Sequence, residues 1–267
     1  MSGSLLLCEL HAHTTWSDGH LALSEVVDLY GRNGFDVLCI TDHAVRVDEP
    51  MPAAIDPWTW PAYATSVRAE ATRAARDYGL IVLLGLELTD NHPDPGRSAH
   101  ALALGLEHFV SIESGLVEAL EEANDQEAVV VAAHPYADHD RSTLRPTRRI
   151  WRERESLKGL IHRYELFNRR ETFAWVAEDG LPPLATGDFH RPEHLSSWKT
   201  LLRLREGHRR GPGLPPLALP GLFDAVCRGR PARRADRRLI QDCHRSVTHI
   251  RASMGKDGTW LALRRLC

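Results

Sequence analysis

The chain has 267 residues, 43% hydrophobic and 26% charged, an ordinary globular balance with length for one large domain or two small ones. No apolar run is long enough to span a bilayer, and Met1-Ser2-Gly3-Ser4-Leu5 lacks the basic and apolar regions of a secretory signal, so neither a membrane span nor export is expected. The net charge of −3 hides an asymmetry: residues 201–267 hold fourteen arginines and Lys256 against five acidic residues, a balance of +10, which leaves −13 on residues 1–200.

In chain order, short apolar runs alternate with helix-like stretches. Leu5–Leu10 reads as a first strand. Ser24 reads as the N-cap of a helix carrying Val26, Val27, Leu29 and Tyr30 at helical spacing, stopped by Gly34. Val37–Ile40 and Ile81–Leu86 are further strands, with a long Ala- and Arg-rich helix, Trp60–Tyr78, between them. Ala101–Leu106, Ala128–Ala133, Leu160–Leu166 and Pro183–Ala185 follow. Strand–helix alternation with near-continuous apolar strands predicts a parallel α/β sheet covered by helices, and the strand number favours closure into a barrel. The five cysteines include no Cys-x-x-Cys pair; Cys8 and Cys39 sit in apolar runs as small core residues, which fits a reducing, cytoplasmic setting.

Polar residues recur where the strands end. His11-Ala12-His13 and Ser17-Asp18-Gly19 follow the first strand, Thr41-Asp42-His43 the second, and Glu87 the third. His100 opens the fourth, His134-Pro135 closes the fifth, and Gly187-Asp188-Phe189-His190 follows Pro183–Ala185. Carboxyl ends of barrel strands share one face, so these residues are expected to meet there. Residues two apart in an extended strand point the same way, so His11 with His13, and Asp188 with His190, can reach one ion. Imidazole with carboxylate and no thiolate cluster suits zinc, manganese or iron rather than a zinc finger, and Glu87 can bridge two cations. Taken singly, each has a plainer reading: Asp42 as a helix cap, Glu87 as a salt-bridge partner, His134-Pro135 as a turn, His100 as a satisfied histidine. Their recurrence at strand ends favours the joint reading.

The same string, from Glu9-Leu10-His11-Ala12-His13-Thr14 to Gly187-Asp188-Phe189-His190, resembles the PHP-domain family, the polymerase and histidinol phosphatase family. The resemblance implies a distorted (β/α)7 barrel with its metal site at the C-terminal strand ends. It also implies a trinuclear centre of about three divalent ions on His11, His13, Asp18, His43, Glu87, His100, His134, Asp188 and His190. The first ion would take His11, His13, Glu87 and Asp188. The second would share Glu87 and add His100 and His134, and the third would take Asp18, His43 and His190. The expected activity is hydrolysis of a small phosphorylated metabolite (a nucleotide, a sugar phosphate or a histidinol phosphate) by a metal-bridging hydroxide, with Glu87, Asp188 and His190 in catalytic roles. Arg141, Arg145 and Arg191 are candidate phosphate contacts. The −13 balance of residues 1–200 argues against nucleic acid as a partner of the barrel. Because ligand histidines must be neutral, activity is expected to fall below about pH 6.

Two other readings stand beside this one. An amide or C–N hydrolase on a similar barrel would need a metal-bridging lysine, and none of Lys158, Lys199 and Lys256 follows a strand as such a residue should. A non-catalytic, partner-binding PHP module would have lost ligands, and all nine positions are filled. The barrel domain is assigned to residues 1–202. Residues 203–267 form a basic, Arg/Pro-rich segment expected to pack poorly, either as a polyanion-binding tail or as an out-of-frame stretch. A GC-rich coding string for Leu204–Asp224, read one base later, spells an amphipathic helix.

Overall fold

The computed structural model describes residues 5–49, 51, 53–140 and 147–203. The basic segment beyond Arg203, with its alternative frame, lies outside these residues, as do Arg141 and Arg145.

The described strands and helices are, in order, β1 (Leu5–Glu9), α1 (Leu23–Arg32), β2 (Val37–Ile40), β3 (His43–Val45), α2 (Trp60–Tyr78), β4 (Ile81–Asp90), β5 (Ala99–Leu104), α3 (Leu116–Asp125), β6 (Val129–Ala133), α4 (Arg149–Arg152), α5 (Arg154–Leu157), β7 (Arg163–Asn168), β8 (Glu171–Thr172), α6 (Ala174–Glu178), β9 (Pro183–Thr186) and β10 (Thr200–Arg203). One sheet holds the strands in the order β10-β1-β2-β4-β5-β6-β7-β8, with β3 also beside β4 and β9 beside β7. The sheet curls, and its ends approach each other: the Thr200 hydroxyl accepts from the Ala185 amide at 3.0 Å and donates to the Ala185 carbonyl at 2.7 Å, and Ala12 bridges to Phe189.

The expected all-parallel sheet is corrected at β5, which runs antiparallel to both β4 and β6. The cause is the link from β4 to β5, which spans only residues 91–98 and holds one 3-10 turn at Pro95–Arg97. A parallel return needs a crossover of a dozen or more residues, and this link has no room for one. β10 is likewise antiparallel to β1.

Two apolar layers sandwich the sheet. Leu6, Cys8 and Leu10, Val37 and Cys39, and Val129, Val131 and Ala133 recur with period two and meet on one face, in a cluster that includes none of the described helices' residues. Cys8 and Cys39 are buried there as free thiols. The larger cluster joins the other face to Val26, Val27 and Tyr30 of α1, Tyr63 and Val67 of α2, and Leu116 and Leu120 of α3. α1 is capped two residues earlier than expected, at Ala22 rather than Ser24; the Glu25 carboxylate accepts from the Ala22 amide at 2.8 Å and supplies the capping that the Ala22 side chain lacks. Gly79 ends α2 in the left-handed region at φ 65°. Gly85 has to be small: a Cβ there would lie 2.6 Å from the Ala103 carbonyl oxygen across the β4–β5 ladder. No helix among the described residues is long and apolar enough to cross a membrane.

Candidate metal centre

β1 delivers His11 and His13 to one end of the curled sheet, where their Nε2 atoms approach to 3.0 Å. β2 and β3 pair with successive stretches of β4, interrupted by Thr41-Asp42, and the register sets His43 opposite Glu87. The antiparallel β5 explains how a residue at a strand's start joins residues at other strands' ends: His100 lies opposite Thr89 of β4 and Ala133 of β6, the residue before His134. β9 ends at Thr186, and Asp188 and His190 follow it.

Glu87 lies at the centre, 1% exposed. Its Oε2 is 3.2 Å from Nε2 of both His11 and His13 and 3.1 Å from His43 Nδ1. Its Oε1 is 3.0 Å from His100 Nδ1 and 3.1 Å from His134 Nε2. Asp188 Oδ1 lies 3.5 Å from His11 and His13 and 3.2 Å from His190, yet it is buried with no well-formed hydrogen bond among the described residues. Asp18 Oδ1 faces His190 Nε2 at 3.1 Å, His43 Nε2 at 3.6 Å and His13 Nδ1 at 3.7 Å. All nine residues singled out in the sequence therefore converge. Among the described residues, three groups hold possible ligand atoms within 4.8 Å of one another: His13, Asp18, His43 and His190; His11, His13 and Asp188; and His43, Glu87 and His100.

The electrostatics follow from packing charge of both signs into a buried space. Burial opposes ionisation of Glu87 and Asp188, but the histidines around them, His11 foremost, hold both carboxyls well below the usual range. Burial also opposes charge on the rings, yet Asp188 and Glu87 keep His11 well above its ordinary value, and Asp188 and Asp18 raise His190 to about 10. His134 is raised too, against burial, by its hydrogen bond to Glu87. His43 goes the other way: burial dominates and lowers it to about 3. The shifts at His11, His134 and His190 all favour protonated rings beside the carboxylates in the metal-free site.

Several supporting roles escaped the sequence reading. Glu165 in β7 is fully buried and accepts from the His134 amide at 2.6 Å, Asn168 Nδ2 at 2.7 Å and the Thr186 hydroxyl at 2.6 Å, while its Oε1 lies 2.9 Å from His11 Nδ1. A carboxylate on the far nitrogen of a ligand histidine fixes its tautomer and aim. The available signal was a glutamate in the short strand-like run Leu160–Leu166, since a buried charge needs a partner. Asp42 is no helix cap; it accepts from the Thr14 amide at 2.8 Å and from the Thr14 and Ser17 hydroxyls at 2.9 and 2.6 Å, pinning the loop that carries His13 and Asp18. Arg169 donates to Asp188 Oδ2 at 3.0 Å and to the Asp188 carbonyl at 2.9 Å, with its other contact His190 Nδ1 at 2.7 Å. Four described non-glycine residues have positive φ, and three of them are here: His134, Arg169 and Asp188. Such strain persists where surrounding structure enforces it and gathers at functional sites. Arg191 is exposed beside His190.

The sequence profile of the PHP domain matches residues 9–164, more than half of the chain. The chain belongs to the PHP-domain family. Among solved structures it is similar to a two-domain Bacteroides vulgatus protein containing a predicted PHP-like metal-dependent phosphoesterase, with 20% identity and a TM-score of 0.54, over 76% of this chain and 60% of that one. It is also similar to PsfC from Pseudomonas syringae, with 13% identity and a TM-score of 0.51, over 94% of this chain and 100% of that one. Both likenesses show the fold. No curated protein matches the chain.

Replacing Glu165 by Gln should leave the PHP fold in place but weaken divalent-ion binding about 10- to 100-fold, the usual cost of losing a ligand's hydrogen-bonding partner. Calorimetric titration of the metal-free protein checks this; an unchanged affinity would remove Glu165 from the site.

Proposed function

We propose that the chain is a hydrolase of phosphate esters acting on a small phosphorylated metabolite, with about three divalent ions of the zinc, manganese or iron class. The observation that carries this is Glu87, whose two oxygens face separate sets of imidazoles, while the buried Asp188 Oδ1 beside them has no well-formed hydrogen bond among the described residues. Convergent imidazole and carboxylate donors without thiolate fit such ions. His11, His13, Glu87 and Asp188 would hold one, Glu87, His100 and His134 a second, and Asp18, His43 and His190 a third. Bound there, the ions would supply Lewis acidity toward the phosphate and a water acidified enough to attack phosphorus.

The chain's own residues do the rest. Glu87 and Asp188 set the donor positions and keep their negative charge in a buried setting. Arg169, already at Asp188 and His190 and with its side chain 29% exposed, is placed to turn a guanidinium N–H pair toward a non-bridging phosphate oxygen. Arg191 is the second described candidate for that role. Protonation of the leaving alkoxide falls to a histidine at the edge of the cluster. The amide-hydrolase reading gains nothing from Lys199, which is buried against Glu9 rather than among the clustered ligands.

The test is release of inorganic phosphate from p-nitrophenyl phosphate and from a panel of nucleotides, sugar phosphates and histidinol phosphate, with manganese, zinc or iron(II) added. Turnover of at least one phosphate ester, abolished by a chelator, is expected. Amide hydrolysis without phosphate release, or turnover indifferent to chelation, would overturn the proposal.

A further inference from the structure

The segments that follow β1 and β9 carry ligands of the same cluster, and among the described residues one β-bridge, Ala12–Phe189, joins them, with the Phe189 amide donating to the His11 carbonyl at 2.9 Å and the His13 amide to the Phe189 carbonyl at 2.8 Å. β10 lies against β1, and its contact with β9 runs through the Thr200 side chain. Beneath this seam sits an ion pair with no solvent contact: Lys199 Nζ lies 2.6 Å from Glu9 Oε2, both side chains 0% exposed.

The Glu9 carboxylate is fully used. Oε1 accepts from the Gly187 amide at 2.8 Å, the Leu10 amide at 3.1 Å and the His11 amide at 3.3 Å. Oε2 accepts from the Tyr30 hydroxyl at 3.0 Å in addition to Lys199. Lys199 donates further to Ser197 Oγ at 2.9 Å and the His194 carbonyl at 3.2 Å. The backbone at residue 187 presses directly on the pair. A Cβ on Gly187 would lie 2.2 Å from Glu9 Oε2 and 2.3 Å from Lys199 Nζ, so only glycine allows the approach.

Stability does not account for this arrangement. Desolvating two charges costs about what their attraction returns, and apolar pairs of similar volume often do as well. What an apolar pair cannot do is hold the amide of His11 and the amide preceding Asp188 on a single oxygen. Resting on the metal reading above, we propose that Glu9, with Lys199 as its counterion, is a positioning residue. It sets the separation of His11 and Asp188, and hence the shape of the ion site between them.

Glu9→Asp tests this, because it keeps the charge and the pair but draws the carboxylate back by one methylene from the Gly187 amide. The double variant Glu9→Gln/Lys199→Met keeps an acceptor and side-chain volume while removing both charges. Metal-free parent and variants would be titrated with cobalt(II), following visible absorption and heat, and their unfolding followed by circular dichroism. For Glu9→Asp we expect an unfolding midpoint close to the parent's, about 10- to 100-fold weaker cobalt binding in one class of sites and an altered absorption band. For the double variant we expect cobalt binding closer to the parent's than that of Glu9→Asp. A parent that binds cobalt and a Glu9→Asp variant with the same affinity and spectrum would overturn this inference alone. Loss of the metal-free fold in both variants would also overturn it, because the pair would then be structural. A parent that takes up no cobalt would overturn the metal reading and this inference with it.

Discussion

Glu87→Gln is expected to abolish phosphoesterase turnover and to leave the purified protein short of about two divalent ions per chain. The substitution preserves shape, so the argument is electrostatic and coordinative. One carboxylate oxygen faces His11, His13 and His43, the other His100 and His134. An amide replaces one of those oxygens with an N–H pair, which cannot ligate a cation. It also removes a negative charge that lies directly between both sets of imidazoles. Two ion positions are therefore weakened at once, whereas loss of a peripheral carboxylate such as Asp18 would strip one. The loss of activity should exceed the roughly 10- to 100-fold typical of residues that only support a ligand. Elemental analysis together with phosphate release decides it. A Glu87→Gln protein with the parent's metal content and turnover would show that Glu87 is a structural carboxylate and that the ions, if any, bind elsewhere.

The cluster was legible in the sequence because its residues sit at strand ends, where an apolar run gives way to His, Asp or Glu and where a curled sheet brings distant residues together. Strand existence was legible for the same reason: buried strands are continuous apolar runs, and the strand Val37–Ile40 occurs with the bounds expected, as does the helix Trp60–Tyr78. Direction was not legible. Nothing in Ala101–Leu106 tells a parallel strand from an antiparallel one; the short link of residues 91–98 was the clue, and it alone explains His100 at a strand's beginning. β10 was hidden next to the change of composition near residue 203, where four residues carry too little periodicity to register. The supporting shell was least legible. Glu165, Asp42 and Arg169 act through partners 154, 28 and 19 to 21 positions away in sequence, and local spacing carries no trace of such pairings.

Uptake of divalent ions should release protons at neutral pH, and ion affinity should keep rising with pH well above the histidine range expected from sequence. The reason lies in the metal-free site. Burial disfavours charge on the rings, but Asp188 and Glu87 overcome it at His11, and Asp188 and Asp18 overcome it at His190, which is raised to about 10. His134 shifts in the same direction against burial, through Glu87. The raised values favour protons on ring nitrogens that a cation must use as lone pairs, so ion binding at these rings is expected to displace protons. The sign follows: a ligand with a raised metal-free pKa binds metal more weakly below that pKa, and the penalty fades as pH rises through it. The window therefore extends from the ordinary imidazole value of about 6.5 up to about 10 instead of closing near 6. His43, lowered to about 3, is already neutral and contributes nothing, and Glu87 and Asp188, held well below the usual range, are already ionised. Calorimetry of zinc binding at pH 7.5 in buffers of different ionisation enthalpy measures the protons directly. At least about one proton released per chain is expected, together with tighter binding at pH 8.5 than at pH 6.5. Binding that takes up no buffer-dependent heat and holds one affinity across that range would mean the rings are neutral before the ions arrive, and that the carboxylates are balanced by something other than histidine protons.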